Sequence, residues 1–478
     1  MKDVMLGIDV GTTSVRVVAF TVDGQLAATH VKPYPISRSR PGWAEQDPMD
    51  WWNGTQEGLR SVLAGLGPAG VRSVGIVSQV NTHVFVDSSL EPLAPAIIWQ
   101  DQRCADIARE FDARFTAAEK KRIWGAPVTL DASFVAARAE WFAREHPSLW
   151  AKTSWVLSPK DFVAAMLTGR VATDPLSGVR VAGASGYFPE AVALVDGLSS
   201  RLPEILPPTA QLGPVLDLDA SLVVGTMDAY GSVFGTATTT PGRGMVLCGT
   251  SLVVAGASRQ SLPASGVVAF PPRDGLYVHA GPTQAAGDAL RWWSGVCGLT
   301  IAEVLDLAAA GSDGVVFTPH LLGERAPLWD PDVRGSFLGL SSSTTQADMS
   351  RAVLTGVAMS GRHVLEYVTA ACGRPLTSLS FSGGGSRSDV WAQIHADVLG
   401  RPVERLKVHD SAALGAALLG AVGAEIYPDI DTAAAETVAR ERVFTPSADS
   451  SRMAALYSVY RSSYSALQDI HATMARWR

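Results

Sequence analysis

Residues 7–20, GIDVGTTSVRVVAF, constrain the fold of this chain more strongly than its composition does. They place Asp9, a glycine and the hydroxyl residues 12–14 between two apolar runs. Apolar runs on either side of a short polar turn predict two buried strands, 4–10 and 14–21, joined as a hairpin. We therefore expect the chain to open a sheet whose first turn is polar.

Further elements continue this pattern. The turn at Asp23-Gly24 predicts a third strand over 25–31, so that the chain begins with an antiparallel meander. The spacing of the tryptophans and leucines in 48–66 predicts an amphipathic helix, and 71–79 reads as another buried strand. Because helices and strands alternate from there on, we expect the α/β class.

The first turn has the chemistry of a phosphate cradle. A glycine lets the backbone approach a ligand closely, and hydroxyls and backbone N–H groups in a turn form a concavity for phosphate oxygens. A carboxylate such as Asp9 beside phosphates would repel them unless a divalent cation lay between, and Mg²⁺ is commonly held by one or two carboxylates. The alternative is a hairpin whose polar side chains only satisfy the backbone of the turn.

A second opening lies near the middle of the chain. The segment TATTTPGRG, 236–244, has few bulky apolar residues, and we place a domain boundary there, between domains 1–239 and 240–478. Gly249 and Thr250 then stand between two apolar runs, as the glycine and hydroxyls of the first turn do. This is a weak internal repeat, and the alternative is two unrelated hairpins.

Two more segments carry candidate chemistry. The segment 379–400, LSFSGGGSRSDVWAQIHADVLG, predicts a strand, a glycine turn and a helix capped by Ser386 or Ser388, which suits a nucleotide, or else only a flexible turn. Asp228 follows the strand predicted at 222–224, where α/β proteins place reactive groups, although an acid there can also be a helix N-cap.

Composition excludes several classes of function. The 46 acidic and 39 basic residues give a net charge of -7, and no run of lysines or arginines occurs, which argues against nucleic acid or an anionic membrane as partner. The four cysteines form no CxxC pair, which argues against structural zinc. With no apolar stretch near ~20 residues and no leader pattern, we expect a cytoplasmic protein.

Taken together, these segments resemble the FGGY carbohydrate kinase family, and its xylulose kinase branch in particular. The resemblance covers nearly the whole chain and rests on segments in the family's order: GIDVGTTSVRVVAF, WAEQDPMDWW, AIIWQDQR, LSPKDFVAAMLTG, FTPHLLGERAP, RGSFLGLS and SGGGSRSDVWAQIHADVLG. It implies two ribonuclease H-like domains of the actin and hexokinase type with an interdomain active-site cleft. It also implies ATP-dependent phosphorylation of a ketopentose, most directly D-xylulose, and allows a homodimer.

The resemblance also assigns roles to residues. Asp228 would be the catalytic base and Asp9 would position Mg²⁺. The first domain would bind the sugar and carry the first phosphate motif, and the second would carry the second phosphate motif and bind adenosine. The residues implied for ATP are Thr12, Thr13, Ser14, Arg16, Gly249, Thr250, Gly287, Arg291, Gly384, Gly385 and Ser388, and those implied for the sugar are Val80, Asn81, Trp99, Asp101 and Asp228.

The sugar residues depart from the branch that the chain resembles. Val80 and Asn81 occupy the positions of a Met-His pair, and Ala229 stands where xylulose kinases have asparagine. The Arg-Glu pair of glycerol kinases is also missing. Because a lost hydroxyl contact can shift preference between polyols strongly, another small polyol or ketose remains an alternative, as does a non-catalytic sensor. His83 either reaches the sugar or is a core residue.

Overall fold

A computed structural model describes residues 3–66, 70–125, 128–183, 185–215 and 218–475. The chain forms two compact units. The first unit comprises Met1–Gly235 and Ser411–Thr437, and the second comprises Thr236–Asp410 and Val438–Arg478.

The described strands of the first unit are β1 Val4–Val10, β2 Ser14–Thr21, β3 Leu26–Pro33, β4 Glu45–Gln46, β5 Val71–Ser78, β6 Val84–Val86, β7 Ala96–Ile97, β8 Trp155–Leu157, β9 Ala172–Thr173, β10 Ala182–Gly183, β11 Gly186–Tyr187, β12 Glu204–Ile205, β13 Gln211–Pro214, β14 Ser221–Val223 and β15 Thr226–Met227. The unit is built on a mixed sheet with the order β13-β14-β5-β1-β2-β3, and β15 also pairs with β5. Strands β1, β2 and β3 are antiparallel neighbours, whereas β5 runs parallel to β1, β14 and β15.

Helices cover this sheet and form a second cluster beside it. Strand β1 is buried throughout, as expected for a central strand with both faces covered. The described helices of the first unit, numbered in chain order, are α1 Pro48–Leu66, α2 Ala105–Asp112, α3 Ala117–Trp124, α4 Val135–Glu145, α5 Pro147–Lys152, α6 Pro159–Thr168, α7 Pro189–Val192 and α8 Asp228–Gly235, joined by α13 Ser411–Gly423 and α14 Ile430–Thr437.

The second unit repeats the same arrangement of strands. Its sheet has the order β18-β19-β17-β16-β22-β23-β24, with β16 and β17 antiparallel and β22 parallel to β16. Its described strands are β16 Arg243–Cys248, β17 Leu252–Ser258, β18 Val268–Ala269, β19 Tyr277–Pro282, β20 Val316–Thr318, β21 Ser336–Leu338, β22 Ser378–Ser382, β23 Val403–Leu406 and β24 Arg440–Phe444. Its described helices are α9 Gly287–Cys297, α10 Ile301–Ala310, α11 Gln346–Cys372, α12 Asp389–Leu399 and α15 Ser450–Ala475.

The two sheets confirm the predicted fold class. In each unit an antiparallel hairpin opens the sheet and a later strand pairs parallel to the hairpin's first strand, which is the ribonuclease H-like arrangement. The predicted strands 4–10 and 14–21 and the helix 48–66 have the predicted bounds, and the third and fourth predicted strands are found as β3 and β5.

Helix α13 belongs with the first unit, although the sequence analysis assigned its residues to a domain running from 240 to 478. Its small residues let its backbone lie directly on the backbone of the sheet. A Cβ added to Gly7 would come within 1.9 Å of the carbonyl oxygen of Ala413, and one added to Gly75 within 1.8 Å of that of Ala416. Glycine on these central strands is therefore required by close approach.

The helices were also compared with what a membrane requires. Among the described residues no single helix is long and apolar enough to cross a bilayer. Helices α9 and α10, which meet at a bend of 93°, pass the length and composition criterion only as a pair.

Candidate active site

The turn between β1 and β2 is held by hydrogen bonds from within the hairpin and from outside it. The N–H of Gly11 donates to the carbonyl oxygen of Ser14 over 3.0 Å and closes the turn. The side-chain amide of Gln46 donates to the carbonyl oxygen of Thr12 over 2.6 Å. Ser14 is buried, whereas Thr13 is exposed at the tip. The segment predicted to be a phosphate cradle is therefore a turn held by hydrogen bonds, with the hydroxyl residue Thr13 accessible at its tip.

Asp9 lies at the end of β1, directly opposite Arg16 on β2. A guanidinium nitrogen of Arg16 is 3.5 Å from a carboxylate oxygen of Asp9, which is only 6% exposed. The charge of Asp9 acts on its neighbours. The pKa of Tyr34 is raised well above its ordinary value by burial and, next in size, by the negative charge of Asp9.

Asp228 lies at the same edge of the sheet as Asp9. Strand β5 pairs with β1 on one side and β15 on the other, so that Val77 of β5 is opposite Asp9 and also opposite Thr226. Asp228 follows β15 directly as the first residue of α8. The main chains that carry the two acids are therefore about 10 Å apart, the width of two strand spacings.

The electrostatics of Asp228 reflect this position. Its carboxylate oxygen accepts a hydrogen bond from the N–H of Ala229 over 2.7 Å. Burial, followed by the negative charge of Asp9, nevertheless raises the pKa of Asp228 to about 7. A half-buried carboxyl group with this pKa can accept or release a proton near neutral pH, which is what a general base requires.

The two acids also bear on the predicted magnesium site. Mg²⁺ usually keeps several waters and takes only one or two protein carboxylates, with substrate phosphates completing its shell. The described residues contain no group of three or more potential ligands, and a single carboxylate, Asp9, beside the polar turn is a donor set of the expected kind. A cation there would also offset the repulsion between Asp9 and Asp228. The residues present therefore fit magnesium.

Trp99 joins the first turn to the segment predicted to bind the sugar. Its indole N–H donates to the hydroxyl of Thr12 over 3.0 Å, and its backbone N–H donates to the hydroxyl of Thr82 over 3.2 Å. Thr82 follows Val80 and Asn81, which leave the end of β5 and are half-buried. The structure thus brings these predicted sugar residues next to the predicted phosphate turn.

Asp101 has a different environment from the other predicted sugar residues. It is 1% exposed, and its oxygens accept hydrogen bonds from the backbone N–H of Ala44 over 2.6 Å and from the guanidinium group of Arg103 over 2.7 Å. The Arg103 guanidinium in turn lies 3.5 Å from the centre of the Trp43 ring. This geometry favours a role for Asp101 in holding the loop that carries Trp99.

Arg138 was not predicted from the sequence, although it holds the segment predicted to bind the sugar. This fully buried residue of α4 donates to the carbonyl oxygens of Asn81 and Ile97, the latter over 2.8 Å, and lies 3.0 Å from Nδ1 of His83. Burial, and then the charge of Arg138, hold the pKa of His83 well below its ordinary value. The signal in the sequence is a charged residue among alanines on the buried face of α4.

In the second unit, the turn after β16 contacts the start of α9. The N–H of Gly287 donates to the carbonyl oxygen of Gly249 over 2.9 Å, and the N–H of Ala286 donates to that of Thr250 over 2.9 Å. Arg291, one turn further along α9, is an exposed residue. The structure therefore brings the predicted second phosphate turn together with Gly287 and Arg291.

The glycine-rich turn after β22 lies against the end of β16. A Cβ added to Gly383 would come within 2.6 Å of the carbonyl oxygen of Cys248, and one added to Gly385 within 2.4 Å of its sulfur, whereas Gly384 faces open space. Ser388 caps α12 by accepting a hydrogen bond from the N–H of Trp391 over 3.2 Å, so the predicted cap is confirmed. The nucleotide residues predicted in this unit thus line neighbouring turns at the end of β16.

Comparison with known protein families finds matches in both units. The N-terminal domain of the "FGGY family of carbohydrate kinases" matches residues 4–192, and the C-terminal domain of the same family matches residues 244–424.

Individual relatives agree with these matches. The chain is 30% identical to a xylulose kinase from Klebsiella pneumoniae over 438 residues, covering 87% of this chain and 89% of the relative. It is 29% identical to a glycerol kinase from Bordetella parapertussis, covering 93% of each. A solved structure of a xylulose kinase from Brucella ovis superposes with a TM-score of 0.86 at 29% identity, covering 98% of this chain and 100% of that one.

Proposed function

Since the chain belongs to the FGGY family of carbohydrate kinases, we propose that it transfers the γ-phosphoryl group of ATP to a primary hydroxyl of a ketopentose. The preferred substrate in this proposal is D-xylulose, and the product is then D-xylulose 5-phosphate. The observation that carries this proposal is that Asp9 and Asp228 lie on either side of β5 at one edge of a sheet, where burial and the charge of Asp9 raise the pKa of Asp228 to about 7.

In this proposal Asp228 orients the sugar hydroxyl and takes its proton. The hydroxyl oxygen forms the new bond to the γ-phosphorus, the bond to the bridging oxygen breaks, and ADP leaves. Because phosphoryl transfer passes through a loose transition state, the proton is needed late and orientation matters more than basicity. A pKa near the working pH suits this task, since the carboxylate is then available and can still hold the proton.

The remaining residues of the first unit would bind phosphate and sugar. Thr12, Thr13, Ser14 and Arg16 would contact the phosphoryl group, and Asp9 would hold Mg²⁺, whose positive charge would offset the negative charge of the phosphates. The hydrogen bonds that hold the turn support this role, because donors that are already oriented stabilise developing charge without reorganisation.

Residues of the second unit would bind the rest of the nucleotide. Backbone N–H groups at the start of α12 and in the glycine turn are donors of the kind that phosphate and ribose oxygens take. We assign Gly249 and Thr250 to phosphate. We assign Gly287, Arg291, Gly384, Gly385 and Ser388 to the rest of the nucleotide.

A second candidate substrate is a smaller polyol. It is favoured by Val80 and Asn81, which stand in place of a Met-His pair, by Ala229, which lacks the hydrogen-bonding amide expected of a xylulose kinase, and by the glycerol kinase among the relatives. A pocket that lacks a partner for one substrate hydroxyl rejects a substrate carrying that hydroxyl only ~10²-fold, so the missing groups weaken the preference for a ketopentose without excluding it.

The experiment is a panel of ADP-release assays with Mg·ATP and D- and L-pentuloses, pentitols, tetritols and glycerol, with the Asp228→Asn variant as control. We expect turnover for at least one member, with the highest kcat/KM for a ketopentose, and a loss of ~10²–10⁴-fold in the variant. A higher kcat/KM for glycerol or a tetritol would replace the substrate. Nucleotide binding without turnover of any member would refute the kinase reaction in favour of a sensor.

Two further expectations belong to this proposal. The first is that the protein forms a homodimer, which light scattering after size exclusion would test against the mass of 50.3 kDa for one chain. The second is that it acts in the cytoplasm, which fractionation of cells that express the full chain would test.

A further inference from the structure

A cluster of three charged side chains is buried in the first unit, and the proposed reaction does not use it directly. Lys160 and Asp174 are 0% exposed and Asp161 is 3% exposed. The Lys160 ammonium lies 2.5 Å from an oxygen of Asp161 and 3.1 Å from one of Asp174. Burial lowers the pKa of Lys160, but the two carboxylates outweigh this effect and the pKa is raised, so the lysine stays charged.

Such a cluster is a poor source of stability. Removing charges from water costs several kcal/mol per ion by general estimates, and the attraction between them only roughly offsets that cost. What a buried ionic cluster can supply is a defined position for the groups that it contacts.

The cluster contacts the strand that leads to Asp228. The hydroxyl of Thr226 donates to the second oxygen of Asp174 over 2.7 Å, and that oxygen also accepts from the N–H groups of Leu176 and Ser177 over 3.1 and 3.2 Å. Thr226 is completely buried and precedes Asp228 by two residues.

Strand β15 needs such an anchor because it is short. It has two residues, and Gly225, with a φ of +72°, separates it from β14. The positive φ of Gly225 interrupts the strand, and only glycine fits there because a Cβ would come within 1.8 Å of the carbonyl oxygen of Ile76. Pairing with β5 then holds β15 through residues 226 and 227, and the hydroxyl of Thr226 adds a side-chain hydrogen bond at that point.

We propose that Thr226 is a positioning residue for Asp228, held in place by Asp174 and Lys160. The inference rests on the proposed kinase reaction, in which Asp228 must align a hydroxyl with the γ-phosphorus. Thr226 itself does not touch substrate. Loss of its hydrogen bond frees β15 to shift, and displacements below 1 Å at a reacting group are sufficient to slow a reaction strongly.

The test compares Thr226→Val, which keeps the shape and removes the hydroxyl, with Thr226→Ser, which keeps the hydroxyl. We expect the valine variant to lose ~10–100-fold in kcat, with KM for sugar and for ATP within about threefold of wild type. The serine variant should keep kcat within about threefold. A matched control is Thr437→Val, which removes a buried hydroxyl that donates to the carbonyl oxygen of Ala433, away from Asp228.

A purely structural role predicts a different result. In that case Thr226→Val and Thr437→Val would lower the urea midpoint alike and leave kcat of the folded protein unchanged, which would overturn the proposal. If Thr226→Val does not fold, Thr226→Cys takes its place, because a thiol fills similar space and is a weak donor. Its kcat should then fall severalfold, and an unchanged kcat would overturn the proposal as well.

The outcomes separate this inference from the proposed function. Turnover of a sugar by wild type together with an unchanged kcat in the Thr226 variants refutes only the positioning role. Absence of turnover by wild type on the whole panel refutes both.

Discussion

Replacing Asp228 by asparagine should make the protein more stable while it abolishes most of its activity. Burial and the charge of Asp9 raise the pKa of Asp228 from its ordinary value of 3.8 to about 7. The folded protein therefore holds this proton more tightly than the unfolded chain does. Below pH 3.8 both states hold the proton and the group has no net effect, whereas above pH 7 the folded state carries a disfavoured charge.

The size of the stability change follows from the pKa shift of Asp228. Each pKa unit is worth about 1.4 kcal/mol in the free energy of unfolding, so the full shift corresponds to at most ~4 kcal/mol. Because the carboxyl group is half-buried and solvent screens part of the effect, we expect ~2 kcal/mol. Asparagine has nearly the same shape and no charge, so the variant should gain this amount above pH 7 and nothing below pH 4.

The assay is urea unfolding of wild type and variant from pH 4 to 8 in EDTA, so that no cation offsets the charge of Asp9. The stability difference should grow as pH rises through 4–7, with the variant the more stable. Asp306→Asn, at an exposed position on α10, is the control and should show no such growth. Equal stability of wild type and Asp228→Asn at pH 8 would refute the account of the raised pKa.

Three other predictions follow from the packing. Gly75→Ala should lower the free energy of unfolding by ~3 kcal/mol or more, because the added Cβ would lie 1.8 Å from a backbone oxygen of α13. Gly65→Ala, which has open space around it, should raise the free energy of unfolding by up to ~1 kcal/mol. Equal urea midpoints for the two variants would contradict this prediction. Arg138→Met should raise the pKa of His83 in an NMR titration, because a nearby positive charge is removed, and an unchanged pKa would exclude that charge as a cause. Ser388→Ala should cost about 1 kcal/mol through loss of the α12 cap, and wild-type stability of this variant by urea unfolding would show that the cap contributes nothing.

The domain division shows where prediction from sequence stopped. The composition of residues 236–244 indicated a boundary there, and the first of the two segments that make up the first unit ends at Gly235. Nothing local in 411–437 indicates that this segment returns to the first unit, because a helix rich in alanine and glycine packs equally well on any close backbone. The glycines on β1 and β5 that accept it are single residues in long apolar runs.

The buried cations Arg138 and Lys160 were missed for a related reason. A charged residue in the sequence of a helix reads as a solvated face unless its partners are known. For Arg138 those partners include the carbonyl oxygen of Ile97 on β7, and for Lys160 they include Asp174, which lies beyond the end of its helix.

Local features of this protein could be predicted from the sequence: the opening meander, the polar turn, the helix 48–66 and a serine cap at residue 386 or 388. Each depends on neighbouring residues, since apolar periodicity, glycine and capping side chains act over a few positions. The sequence did not reveal that Asp9 and Asp228 flank β5 at one edge of a sheet, or that Thr226 bonds to the aspartate that pairs with a buried lysine. These depend on which strands pair, and pairing is set by the packing of segments far apart in the chain.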